Sequence, residues 1–122
     1  MLQIKIINKD FTVCKVEDFT QVNFDDEFVF ISKTDEENSL VCSSEFTPQN
    51  TTECEKGWKC FRIEGVLDFS LVGILAKISS LLAENLIPIY AVSTFNTDYI
   101  LVKQEHFDMA ISALKQNGYN IV

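Results

Sequence analysis

Asp98 sits at what reads as a hairpin turn between two apolar strands, a carboxylate able to meet an ammonium or a guanidinium, and Ser93 and Thr94 in the strand before the turn could supply hydroxyls. Asp98 is equally placed to bond its own backbone and close the turn, and Ser and Thr in strands are often merely structural. A second set is defined by what it lacks. Leu67–Gly73 leads into an apolar helical pattern, and residues 63–76 contain no Lys, Arg or His. An anion held there must be held by backbone N–H groups, which at a helix start lack internal partners and carry the positive end of the dipole. Gly73 would let backbone or ligand approach closely. The structural alternative is N-capping by Asp68 or Ser70, with Gly73 serving helix–sheet packing.

No catalytic constellation stands beside these sets. Cys14, Cys42, Cys54 and Cys60 form no C-x-x-C pair, and the single His106, expected near a helix start, completes no zinc ligand spacing. Four free thiols are expected, two of them buried in strands. Arg62, the only arginine, lies in the strand before residues 65–73. That loop therefore lacks the arginine with which an acylphosphatase-like hydrolase would cradle phosphate. The expectation is a protein without enzymatic activity, without a metal site and without a cofactor.

Charge narrows the partners. The net charge is −8. Residues 1–57 hold twelve acids against five bases, and residues 58–122 six against five. Nucleic acid and anionic membrane surfaces both need clustered Lys and Arg, so neither is an expected partner. Met1 to Ile6 alternates apolar and polar and has no long apolar run, unlike a signal peptide or a membrane span. A cytoplasmic location is expected.

The elements that must position these residues follow from periodicity. Leu2–Ile6 and Phe11–Val16 read as two strands of a hairpin turning at Asn8-Lys9-Asp10. Phe28–Ser32 and Ser39–Cys42 read as strands separated by a polar turn, and residues 43–57 as a loop. Trp58–Glu64 has strand chemistry, with a change of phase between Cys60 and Phe61 that suggests a bulge. Leu71, Ile74, Leu75, Ile78, Leu81 and Leu82 form one helical stripe, closed by Asn85. Ile87–Phe95 and Tyr99–Val102 read as a hairpin. Phe107, Ala110, Ile111 and Leu114 form a second helical stripe, ended by Gly118. Tyr119–Val122 is the last strand. The order from residue 58 is strand, helix, strand, strand, helix, strand: the βαββαβ pattern, with two helices on one face of a four-stranded antiparallel sheet.

Three segments carry a resemblance. Glu64-Gly65-Val66-Leu67-Asp68-Phe69-Ser70-Leu71-Val72-Gly73-Ile74-Leu75 resembles the strand-to-helix junction of ACT domains. Ala91-Val92-Ser93-Thr94-Phe95-Asn96-Thr97-Asp98-Tyr99-Ile100-Leu101-Val102 resembles a segment of one ACT subfamily, the short bacterial tandem-ACT proteins similar to the amino-acid-sensing ACT proteins of eukaryotes. Ser32-Lys33-Thr34-Asp35-Glu36-Glu37-Asn38-Ser39-Leu40-Val41-Cys42 is similar to a stretch of the first half of that subfamily. Phe95 stands where the subfamily has Tyr, and Asn38 where it has Leu. The resemblance implies an α+β fold: a ferredoxin-like βαββαβ ACT domain over 58–122, packed with a degenerate, strand-rich ACT-like half over 1–57. It also implies a regulatory module that binds a small molecule, a free amino acid, at Phe69, Ser70, Leu71, Val72 and Gly73. Ser93, Thr94 and Asp98 would lie close by, and the protein would be a homodimer. The alternative function is a protein–protein interaction or assembly domain with no metabolite ligand.

Overall fold

The computed structural model describes residues 3–64 and 72–122. In chain order the elements are β1 (Gln3–Val16), β2 (Val29–Lys33), β3 (Asn38–Ser43), a 3₁₀ turn (Ser44–Phe46), β4 (Thr51–Glu64), α1 (Ile74–Glu84), β5 (Tyr90–Ser93), β6 (Asp98–Lys103), α2 (Gln104–Gln116) and β7 (Asn120–Ile121). The chain divides into two compact units: Met1–Asn8 with Lys59–Val122, and Lys9–Trp58.

In the unit that contains both helices, the strand order is β7-β1-β4-β6-β5. The expected sheet of four strands thus gains a fifth, the opening residues of β1, which lies between β7 and β4. β7 runs parallel to it, with Gln3 opposite Asn120 and Ile4 opposite Ile121. Val122 N–H donates to Ile4 O at 2.7 Å, and Ile6 N–H to Val122 O at 3.0 Å. The two helical stripes do what their spacing predicts. Ile78, Leu82, Ala110, Ile111 and Leu114 are buried against Ile4, Phe61, Ile63, Ile100 and Val102 of the strands. Ile74, Leu75 and Phe107 pack around that core half-buried. Leu71 lies outside the described residues, and α1 begins at Ile74. The phase change in β4 is real, since Cys60 and Phe61 are both buried.

In the Lys9–Trp58 unit the order is β2-β3-β1-β4. β3 pairs antiparallel with both β1 and β2. No helix stands between β1 and β2 here. The chain from 17 to 28 is irregular, and after β3 only the single 3₁₀ turn forms. Phe19, Val22 and Val29 cover a small cluster of Cys14, Val16, Leu40 and Cys42.

Two expectations are corrected. Residues 3–16 do not form a hairpin: β1 is one strand of fourteen residues. Asn8, Lys9 and Asp10 sit in it without turning because β1 finds partners along its length, β7 at its start and β3 from Phe11 to Lys15. Turn propensity is a weak local preference that such pairing overrides. Likewise residues 51–57 are no loop but the first half of β4, whose polar side chains are mostly exposed.

Candidate functional site

The hairpin β5–β6 sets the first part of the site. Ser93 and Asp98 are register partners, so their side chains share a face, and the Ser93 hydroxyl donates to Asp98 Oδ1. The Asp98 carboxylate is therefore held from across the hairpin, by a hydroxyl that also leaves it partly exposed. Thr94 serves the turn instead. Its N–H and its hydroxyl both donate to Thr97 O, at 2.8 and 2.9 Å, and its Oγ1 accepts from Thr97 N–H at 3.3 Å. β5 is shorter than its apolar run suggests, since it spans only Tyr90–Ser93 and Phe95 is exposed, whereas β6 extends to Asp98 and Lys103.

Thr97 is the residue the sequence pattern misses. Its hydroxyl is buried and donates to Ile63 O at 2.6 Å. This bond ties the hairpin tip to the end of β4, the strand from which the chain passes on to α1. No local signal marks it, because the partner is 34 residues away.

The start of α1 sets the second part. Gly73 occupies the N-cap position with φ +79°, and no acid lies in the first turn of the helix. Lys77 N–H bonds Gly73 O at 2.9 Å and closes the first turn. Among the described residues, no side chain caps the first helical N–H groups. Helix–sheet packing does not select Gly73, since a Cβ there would meet none of the described residues within 4 Å. What selects glycine is the left-handed φ, which costs a Cβ-bearing residue about 1–2 kcal/mol. Val72, just before it, is 86% exposed. Phe69, Ser70 and Leu71, and with them the capping alternatives Asp68 and Ser70, lie outside the described residues. A groove along α1 is lined by Gly73, Ala76, Lys77, Ser80, Leu81, Glu84 and Asn117. Lys77 is a base that a reading confined to residues 63–76 passes over; its spacing of four from Gly73 places it on the same helix face.

The other reactive side chains are engaged elsewhere. Arg62 donates from Nε to Glu64 at 2.9 Å and from Nη1 to Tyr99 Oη at 3.2 Å. Glu64, then Tyr99, raise its pKa further. Three cysteines are buried rather than the expected two: Cys14, Cys42 and Cys60, with Cys54 exposed and all four thiols free. Burial pushes the Cys60 thiol up to about 12, which removes it as a nucleophile. His106 lies in the first turn of α2, half-buried. Among the described residues no helix is long and apolar enough to cross a membrane.

Comparison with known proteins places this arrangement. The model of the ACT domain family matches residues 53–116. An Agobacterium tumefaciens protein of known crystal structure is 29% identical, with 99% of this chain and 92% of that one covered at a TM-score of 0.87. A Vibrio cholerae protein of unknown function, a possible transport protein, is 20% identical over 94% of this chain and 88% of its own, at 0.75. A putative C-terminal regulatory domain of aspartate kinase from Porphyromonas gingivalis is 19% identical over 98% and 97%, at 0.58. With more than half its length matched by the family model, on a strand-rich α+β fold, the chain belongs to the ACT domain family.

Proposed function

We propose that this protein is a regulatory module that binds a small molecule, a free α-amino acid or close analogue, and catalyses no reaction. The family supports the regulatory role, since ACT domains act as regulatory modules, among them those of aspartate kinases. One observation carries the choice of ligand. The start of α1, which no described side chain caps, follows β4 in the chain, and the hairpin tip with its Ser93–Asp98 pair is bonded to the end of that strand. A carboxylate suits the helix start, and an ammonium suits Asp98. A zwitterion needs both. In this reading Phe69, Ser70, Leu71, Val72 and Gly73 hold the carboxylate end. Ser93 positions Asp98, Thr94 shapes the tip, and the Asp98 charge tilts the choice towards a cationic amino acid, arginine or lysine.

The Lys9–Trp58 unit is then a second ACT unit whose helices have been reduced, one to the irregular chain of residues 17–28 and one to the 3₁₀ turn. Its strand order β2-β3-β1-β4 supports this, because it is the order a βαββαβ unit would give. The module works in the cytoplasm as a homodimer. Native mass spectrometry of the gently purified protein tests the proposal. A co-purifying mass equal to a free amino acid is expected, and it should disappear from Asp98→Ala. A protein that stays bare when each of the twenty amino acids is supplied in excess would favour the assembly-domain alternative.

A further inference from the structure

We propose that two copies of this chain pair edge to edge through β2, antiparallel about a two-fold axis at Phe30. The proposal rests on the homodimeric reading and names its contact. In the Lys9–Trp58 unit β2 is the end strand, with β3 its one neighbour among the described residues. The turn between them fixes which side of β2 stays open. Thr34 N–H donates to Glu37 O at 3.0 Å, so these two residues form a hydrogen-bonded pair. Such pairs alternate along an antiparallel ladder. Ser32–Ser39 and Phe30–Val41 are then the next two, and Val29, Ile31 and Lys33 turn their N–H and C=O groups away from β3. No turn or loop bond among the described residues reaches these three. A row of outward groups of this kind is a template for another strand.

The side chains select the partner and the register. β2 reads Val29-Phe30-Ile31-Ser32-Lys33, and Glu27 stands just before it. With the axis at Phe30, Val29 of each copy faces Ile31 of the other, Phe30 faces Phe30, and Lys33 comes level with Glu27. An aromatic pair is thus flanked by β-branched pairs, with opposite charges at both ends, and each of these combinations favours a sheet. The neighbouring registers lack them. An axis at Ile31 sets Lys33 against Val29, and one at Ser32 sets it against Ile31. The pairing ends at Glu27, because the chain before it turns, with Asp26 N–H bonding Asn23 O at 3.5 Å.

Burial points the same way. Ile31 is 38% exposed, and Glu27, Ser32 and Lys33 are exposed with it. Ile31 is the register partner of Leu40, which is fully buried in the small cluster that Val29 covers. That cluster therefore reaches solvent at Ile31, where Val29 of a second copy would extend it. A lysine on an edge strand ordinarily discourages pairing. Here Glu27 of the other copy meets it, so the residue that rejects other strands admits this one. The corresponding edge strand of the helical unit, β5, carries no charged residue to fix a register. Five residues from each copy make a small interface, so the pairing is reversible and depends on concentration.

The test is sedimentation equilibrium of the full chain over a range of concentrations. The wild type should show a monomer–dimer equilibrium that weakens as salt is added. Ile31→Pro removes an outward N–H and leaves the bonds to β3 in place. It should abolish the dimer while the far-ultraviolet circular dichroism stays that of the wild type. Glu27→Lys and Lys33→Glu each set like charges together twice about the axis, and each should weaken the dimer by roughly tenfold. The double variant Glu27→Lys/Lys33→Glu should regain the wild-type affinity, a rescue that does not depend on how Ile31→Pro folds. An undiminished dimer in Ile31→Pro, or a double variant with no rescue, would overturn pairing through β2 and leave the homodimer standing. A wild type that stays monomeric at every concentration would overturn both.

Discussion

Single side chains decide three features of this molecule, and each can be tested alone. Leu86 follows α1 with φ +59° and an 85% exposed side chain. It pays for a left-handed C-terminal position without packing in return. Replacement by glycine should raise stability by about 0.5–1 kcal/mol, read as a higher denaturant midpoint with an unchanged slope. Thr97 does the opposite service. Thr97→Val would leave the Ile63 carbonyl without its buried donor and should cost about 1–3 kcal/mol. Asp26 gives a pH signature in the other unit. Ser43 donates to it at 2.6 Å and Lys9 at 3.3 Å, and these bonds hold its carboxyl below the ordinary range although burial opposes them. A depressed folded-state pKa means a contribution fully present above the unfolded value, near 4, and lost as pH falls through the folded one. Acid titration of stability should show this loss in the wild-type protein and a shallower one in Asp26→Asn.

At the scale of elements, the helices rest on their buried stripes. Ile78→Ala should cost about 2–5 kcal/mol, since Ile78 is fully enclosed between α1 and the sheet. Chemical denaturation would check it, and a cost under about 0.5 kcal/mol would contradict the packing described. Both helices and the β5–β6 hairpin were legible because each is written locally, in a period of 3.6 or in a turn between two apolar runs. The Ser93–Asp98 register was not, because the apolar run carries the expected strand on to Phe95. β1 and the first half of β4 were not. Asn8-Lys9-Asp10 looks like a turn and Thr51–Gly57 like a loop until the strands beside them are known. The start of α1 was misplaced for a related reason. Leu71 and Val72 fit the apolar run, whereas the left-handed φ that begins the helix at Gly73 leaves only a glycine as its trace. Thr97 shows the same limit within the site, its partner being distant in sequence.

The account of the whole molecule joins the start of α1 to a hairpin carboxylate, and makes of them an amino-acid site in a dimeric regulator. The dimer has its own check: sedimentation velocity should give twice the 13.9 kDa chain mass, whereas a strict monomer at high concentration, with and without ligand, would count against it. For the site, Asp98→Ala should weaken the ligand found while leaving the free protein's melting temperature nearly unchanged, because Asp98 is only partly buried and bonds Ser93 alone among the described residues. The most direct measurement is a thermal-shift screen of the free protein against the twenty amino acids, with calorimetry on any that act. Ligand at one hundred times Kd adds about 2.7 kcal/mol to native-state stability, which for a chain of this size raises the melting temperature by roughly 5–15 °C. The account predicts such a shift for at least one amino acid, strongest among those with cationic side chains. No shift with any of the twenty, and no heat on titration, would contradict it.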